Sequence, residues 1–198
     1  LVHHDDTPVD MQDYNSGKPR GQRMREARLW AATAPPREGP WTVFDFTASR
    51  AAEGPRGFLA DRRCRVVCDA YAVYGKLATA GYGPPAIVLI GCWAHARRHF
   101  REAHLSSHPA EGAAFMHLIG LLYAVEREHA DTVPPEGATA AERAALLRVD
   151  DARRLGLRRE RSLPVLAQIR EKMDALSPVT QPSSKLGKAL SYADKIWH

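Results

Sequence analysis

Cys64-Arg65-Val66-Val67-Cys68-Asp69-Ala70-Tyr71 is the stretch that decides the fold of this 198-residue chain. Residues 64–68 form a compact apolar run of strand length, and the run ends on an acid. Side chains alternate along a strand, so Cys64, Val66 and Cys68 share one face while Arg65 and Val67 share the other. An acidic pair, Asp5-Asp6, follows Leu1-Val2-His3-His4, which reads as the end of another strand.

Outward from this strand, the punctuation sets an order of elements. Pro8 to Glu26 is polar and carries Gly17, Pro19 and Gly21, which predicts a long mobile loop. Arg28 to Thr33 is a short strand, and Trp41-Thr42-Val43-Phe44-Asp45-Phe46-Thr47 is a clear one, rich in aromatic and β-branched residues. A short helix from Gly54-Pro55 to Asp61 precedes strand 64–68. A helix over Ala70–Thr79, a turn at Gly81–Pro85, a buried strand over Ala86–Gly91 and a helix from Ala94 follow. After residue 100 the pattern is helical throughout. Phe115, Leu118, Ile119, Leu122 and Val125 recur at helical spacing. Thr139-Ala140-Ala141-Glu142 matches a capping box, Leu163–Leu176 ends at Ser177-Pro178, and Ser183 or Ser184 opens a last helix that continues past Trp197.

Three strands, then helix, strand, helix, strand and helix, is the pattern of a ribonuclease-H-like α/β fold. It predicts a mixed sheet over residues 1–105 followed by an all-α segment over 106–198. In that fold the first strand is central and lies beside the fourth, so Asp5 and Asp69 meet. Carboxylates there suit hard divalent cations, and paired cations cut phosphodiester bonds by activating the attacking oxygen and stabilising the leaving one. The bland alternatives are an Asx turn at Asp5-Asp6 and a helix N-cap at Asp69.

Composition narrows the class. The net charge is +5 and hydrophobic residues make up 44% of the chain, which fits a globular protein with a polyanionic partner. An Arg-rich composition with solvated faces is the alternative. The longest apolar run, Ala86–Ile90, is too short to span a bilayer. No secretory signal is visible, and three scattered cysteines do not make a disulfide framework, so a reducing cytoplasm is expected.

Other constellations carry less. Cys92-x-x-His95 with Cys64 and Cys68 invites a zinc reading, but cysteines four apart in a strand lie roughly 13 Å apart and cannot share one tetrahedral ion. His3-x-Asp5 resembles part of a two-His-one-carboxylate site, a chemistry usually housed in all-β barrels. Arg97, Arg98, His99 and Arg101 cluster at a helix start, either as a phosphate-contacting surface or as a solvated face. Arg153-Arg154 and Arg158-Arg159-Glu160-Arg161 offer the same choice.

Several blocks resemble the transposases of the insertion sequence 66 family. These are His4-Asp5-Asp6-Thr7-Pro8-Val9, Phe44-Asp45-Phe46-Thr47-Ala48-Ser49-Arg50, Asp69-Ala70-Tyr71-Ala72-Val73-Tyr74, and Cys92-Trp93-Ala94-His95-Ala96-Arg97-Arg98-His99-Phe100. Leu121–Glu128 and Lys185–Ala193 continue the likeness in order along the chain. The resemblance implies a DDE catalytic domain that cleaves DNA at element ends and joins it to target DNA with Mg2+, or Mn2+ in its place. Asp5 matches the first acid of that family, with Asp6 as the reserve, and Asp69 matches the second. His95 is then expected at the end of the fifth strand beside Asp69, and Arg97 and Arg98 are expected to support DNA handling. A homo-oligomer in the transposition complex is expected, and no membrane partner. The third acid of the family lies in a later Asp-Asn-Asn…Glu block with no counterpart here, so the piece is expected to be inactive alone. It is either part of an enzyme or a catalytically dead remnant that only binds DNA or serves a structural role.

Overall fold

A computed structural model describes residues 1–14, 17–19, 24–34, 41–59, 62–79, 87–129 and 132–197. Two compact units are present, one of Leu1–Cys92 with Ile196–His198 and one of Trp93–Lys195.

The first unit is built on a five-stranded sheet in the order β3-β2-β1-β4-β5. The strands are β1 (Val2–Gln12), β2 (Met24–Thr33), β3 (Thr42–Thr47), β4 (Cys64–Cys68) and β5 (Ile87–Gly91). Strands β1, β4 and β5 run parallel, while β2 pairs antiparallel with β1 and β3. This is the mixed sheet expected of a ribonuclease-H-like fold, with β1 central and beside β4. Helices α1 (Glu53–Leu59) and α2 (Ala72–Thr79) supply the other layer.

Alternation along the strands explains the core. Val66 and Cys68 are buried, Cys64 is half-buried, and Arg65 is exposed, as the strand parity predicts. Leu59, Tyr74, Leu77 and Ile87 close over them, flanked by Phe58, Tyr71 and Leu89. The opposite sheet face leaves Phe44, Phe46, Val88 and Ile90 exposed. α1 lies so close to β2 that a Cβ on Gly54 would sit 2.3 Å from the Trp30 indole, so the glycine is what lets the helix pack on that ring.

The expected loop over 8–26 needs correction. β1 runs through Pro8 to Gln12, and β2 begins at Met24, with pairs from His3↔Thr33 to Gln12↔Met24. Pro8 breaks a strand only where its missing N–H is needed by the ladder. Beyond His3, β1 has β2 as its one recorded strand partner among the described residues. Its other edge is therefore open where the proline sits. The predicted turn over 81–85 lies outside the described residues, as do Gly21 and Ala86.

The second unit is helical: α3 (Trp93–His104), α4 (Pro109–Glu128), α5 (Ala140–Leu157), α6 (Leu163–Leu176) and α7 (Lys185–Lys195). Phe100 of α3 stacks on Phe115 of α4 with ring centroids 4.1 Å apart. Around them Leu118, Ile119, Ile169, Met173 and Leu190 are buried, as the helical spacing of the apolar residues requires. The capping box is present: the Thr139 hydroxyl accepts from the Glu142 N–H, and the Glu142 carboxylate accepts from the Thr139 N–H.

Two helix ends differ from expectation. A π-helical turn, Arg158–Ser162, joins α5 to α6 without a break. Pro164 enters the next turn, and the wider turn removes the clash its ring would make with the carbonyl four residues earlier. Helix α7, capped by the Ser184 hydroxyl accepting from the Gly187 N–H at 3.0 Å, stops at Lys195 rather than continuing past Trp197. Among the described residues no helix is long and apolar enough to cross a membrane.

Candidate metal centre

Register alone brings two acids level. Parallel pairing aligns His3 with Val67, and two residues further along each strand come Asp5 and Asp69. Oxygens of Asp5, Asp6 and Asp69 all lie within 4.8 Å of one another. Oxygen ligands on opposite sides of one Mg2+ are about 4.2 Å apart. The oxygens are thus close to the spacing of ligands around one such ion, and hard carboxylate oxygens are the right donors.

The neighbouring acids Asp5 and Asp6 are not equivalent, because adjacent strand residues face opposite ways. Asp5 is exposed, and its Oδ1 accepts from the Asp6 N–H at 2.9 Å. The Asp6 side chain is only 3% exposed and lies on the covered face with His4. Arg28 Nη1 meets its Oδ2 at 3.2 Å, and Arg50 Nε donates to its Oδ1 at 3.0 Å.

Asp69 does two things at once. Its Oδ1 accepts from the Tyr71 N–H at 3.0 Å, just ahead of α2, which is a capping contact. Its Oδ2 accepts from Arg50 Nη2 at 2.8 Å, and the same nitrogen lies 2.9 Å from Asp6 Oδ1. Arg50 thus bridges carboxylates that would otherwise repel. Its guanidinium lies over the Tyr71 ring, 4.4 Å from the centroid, and the Tyr71 hydroxyl donates to the Arg50 carbonyl. Burial opposes the arginine's charge, but hydrogen bonds and attraction from Asp6 and Asp69 outweigh it and push its pKa above the ordinary value.

Beneath the acids sits an aromatic platform. His4 is buried between Trp30 and Phe58, with centroids 5.6 Å away on each side. Its Nδ1 shares a 2.7 Å hydrogen bond with the Tyr74 hydroxyl. Burial lowers the His4 pKa against the pull of Asp5, Asp6 and Asp45, so the ring is neutral near pH 7. Burial, with the Asp69 charge next, also pushes the Cys68 thiol up to about 12, so it packs as a neutral apolar group.

The sequence reading named Asp5 and Asp69, and the structure brings these two together. His95, expected at the end of the fifth strand, lies instead on α3 with Arg97 and Arg98 in the second unit, because β5 ends at Gly91 and the helix begins at Trp93. His95 is half-buried, and both arginines are exposed. Arg97 lines a cavity of about 550 Å3 with Ala94, Gly120, Tyr123 and Arg127. His99, half-buried, packs on Tyr192 with ring centroids 4.6 Å apart. The sequence reading missed Arg28, Arg50 and His4 as members of the site. Arg50 stands in one of the quoted family blocks, yet nothing local marks it as the partner of acids 44 and 19 residues away.

Comparison with known proteins bears on the family of the chain. The chain is 28% identical over 172 residues to "Uncharacterized protein y4jD" of Sinorhizobium fredii, covering 86% of this chain and 30% of that one. It is 29% identical over 174 residues to "Uncharacterized protein y4qI" of the same organism, covering 85% and 28%. The chain therefore spans less than a third of the length of these relatives. No solved structure matches it. The model of the family described as "Transposase IS66 family" matches residues 1–198 from end to end. The chain belongs to the IS66 family of transposases.

Proposed function

We propose that this chain carries the first two catalytic acids of a DNA transposase, with Asp5 and Asp69 holding divalent metal for cleavage and transfer of the ends of an insertion sequence. The observation that carries this reading is the convergence of carboxylates from within β1 and from just past the end of the adjacent parallel β4, in a chain of a transposase family. Mg2+, with Mn2+ as its substitute, is the ion whose preference for carboxylate oxygen fits. When bound, such metal activates the attacking oxygen and stabilises the leaving one. The chain's own part is to aim the ligands. Asp69 is oriented by the Tyr71 N–H, and β1 is fixed between β2 and β4, above the buried His4–Tyr74 pair.

DNA at element ends and at the target is the partner in this reading, and a homo-oligomer forms the transposition complex in the cytoplasm. Exposed Arg97 and Arg98 suit phosphate contacts, with His95 ordering the helix start beside them. Residues 1–105 then serve as the catalytic core and 106–198 as a helical insertion. The test is strand transfer by the complete transposase. Asp5→Asn and Asp69→Asn are each expected to abolish transfer while circular dichroism stays that of the native fold. Normal activity in Asp69→Asn would refute the assignment.

A further inference from the structure

We propose that Arg50 is the resident cation of the acidic cluster, exchanged for the divalent ion at Asp69 when metal binds. The inference rests on the metal reading of Asp5 and Asp69 given above. One guanidinium nitrogen, Nη2, is shared by two carboxylates, at 2.9 Å from Asp6 and 2.8 Å from Asp69. The Asp69 oxygen that meets Arg50 is not the one that caps α2, so it is the oxygen turned into the cluster. An ion and a guanidinium cannot both sit there, since each needs contact distance to the same lone pairs and their charges repel.

The arginine is built to leave. Its side chain is 38% exposed, against 18% for Asp69 and 3% for Asp6. Asp6 stays neutralised by Arg28 when Arg50 moves. The guanidinium already lies over the Tyr71 ring, 4.4 Å from its centroid, a contact that does not depend on the carboxylates. Its backbone stays fixed, because the Tyr71 hydroxyl holds the Arg50 carbonyl. The exchange therefore needs rotation of one side chain only. With Arg50 in place the metal-free acids are held together without mutual repulsion. With Arg50 displaced, its charge becomes available at the edge of the cluster.

The experiment compares the full chain with Arg50→Met, which keeps the stem over Tyr71 and removes the charge. Mn2+ binding is followed by calorimetry and by paramagnetic resonance of the free ion. Arg50→Met is expected to bind Mn2+ at least about tenfold tighter, because the competing cation is gone. Its melting temperature in chelator is expected to fall, and its rise on adding Mg2+ to exceed that of the wild type. A second measurement does not depend on how the variant folds. The Arg50 Nε–H resonance of the wild type is expected to shift and lose exchange protection as Mg2+ is added, while that of Arg28 stays put. Unchanged or weaker Mn2+ binding by folded Arg50→Met, or an Arg50 Nε–H signal indifferent to saturating Mg2+, overturns the exchange alone, provided Asp69→Asn abolishes binding. Absence of Mn2+ binding in both proteins removes the metal reading and the exchange with it.

Discussion

Asp5 and Asp6 are neighbours in sequence with opposite surroundings, so the same substitution is expected to have opposite consequences. Asp6→Asn removes a charge from a side chain only 3% exposed, which faces Arg28 and Arg50. Charged hydrogen bonds are worth about 1.5–3 kcal/mol each, and breaking a fully buried pair costs about 3–5 kcal/mol. Both figures need discounting here. Arg50 is more than a third exposed and keeps Asp69, and Arg28 keeps Glu26. A net cost of about 2 kcal/mol is expected, or roughly a 1 M fall in urea midpoint for a slope near 2 kcal/mol per M. Asp5→Asn keeps the one oxygen that accepts from the Asp6 N–H and is expected to stay within about 0.5 kcal/mol of wild type, as exposed substitutions do. Metal affinity is expected to rank the other way, with Asp5→Asn losing the ion. Urea unfolding in chelator, with hydrogen exchange of the β1 and β2 amides, reports the stability arm. An Asp6→Asn protein as stable as wild type, or an Asp5→Asn protein equally destabilised, would refute this division of roles.

Two further outcomes test the packing of each unit. Gly54→Ala places a Cβ 2.3 Å from a Trp30 ring held by the Thr47 hydroxyl at 2.7 Å. Overpacking at about 1–3 kcal/mol is expected to exceed the gain of up to about 1 kcal/mol in helix propensity, and a melting temperature at or above wild type would show that the ring yields. In the second unit, Arg158 donates to both Glu126 oxygens at 2.6 and 2.8 Å, which holds the Glu126 pKa below its usual 4.5. That carboxylate's contribution is full above about pH 4.5 and is lost as pH falls through its folded pKa. It amounts to about 1 kcal/mol or less, since the pair is partly exposed. Glu126→Gln is therefore expected to flatten the loss of stability as pH falls below about 4.5, and superimposable profiles for the two proteins would count against the pair.

The sequence by itself determined what depends on near neighbours. The alternation of Cys64, Val66 and Cys68 set the buried face of β4. The Thr139–Glu142 spacing set the start of α5. The strand–helix order put β1 beside β4, and so Asp5 beside Asp69. Tertiary structure decided the rest. Polar residues and Pro8 read as loop, yet β1 pairs with β2 as far as Gln12, where β2 is its one strand partner among the described residues and a proline is tolerated on a strand with an open edge. Which of two adjacent acids is buried depends on which sheet face α1 and α2 cover, and a strand's local pattern carries no sign for that. The pairing of Arg50 with Asp6 and Asp69 spans 44 and 19 residues. Such ion pairs are set by where strand ends and loops meet in space, while the periodicities that make sequence legible extend over only a few residues.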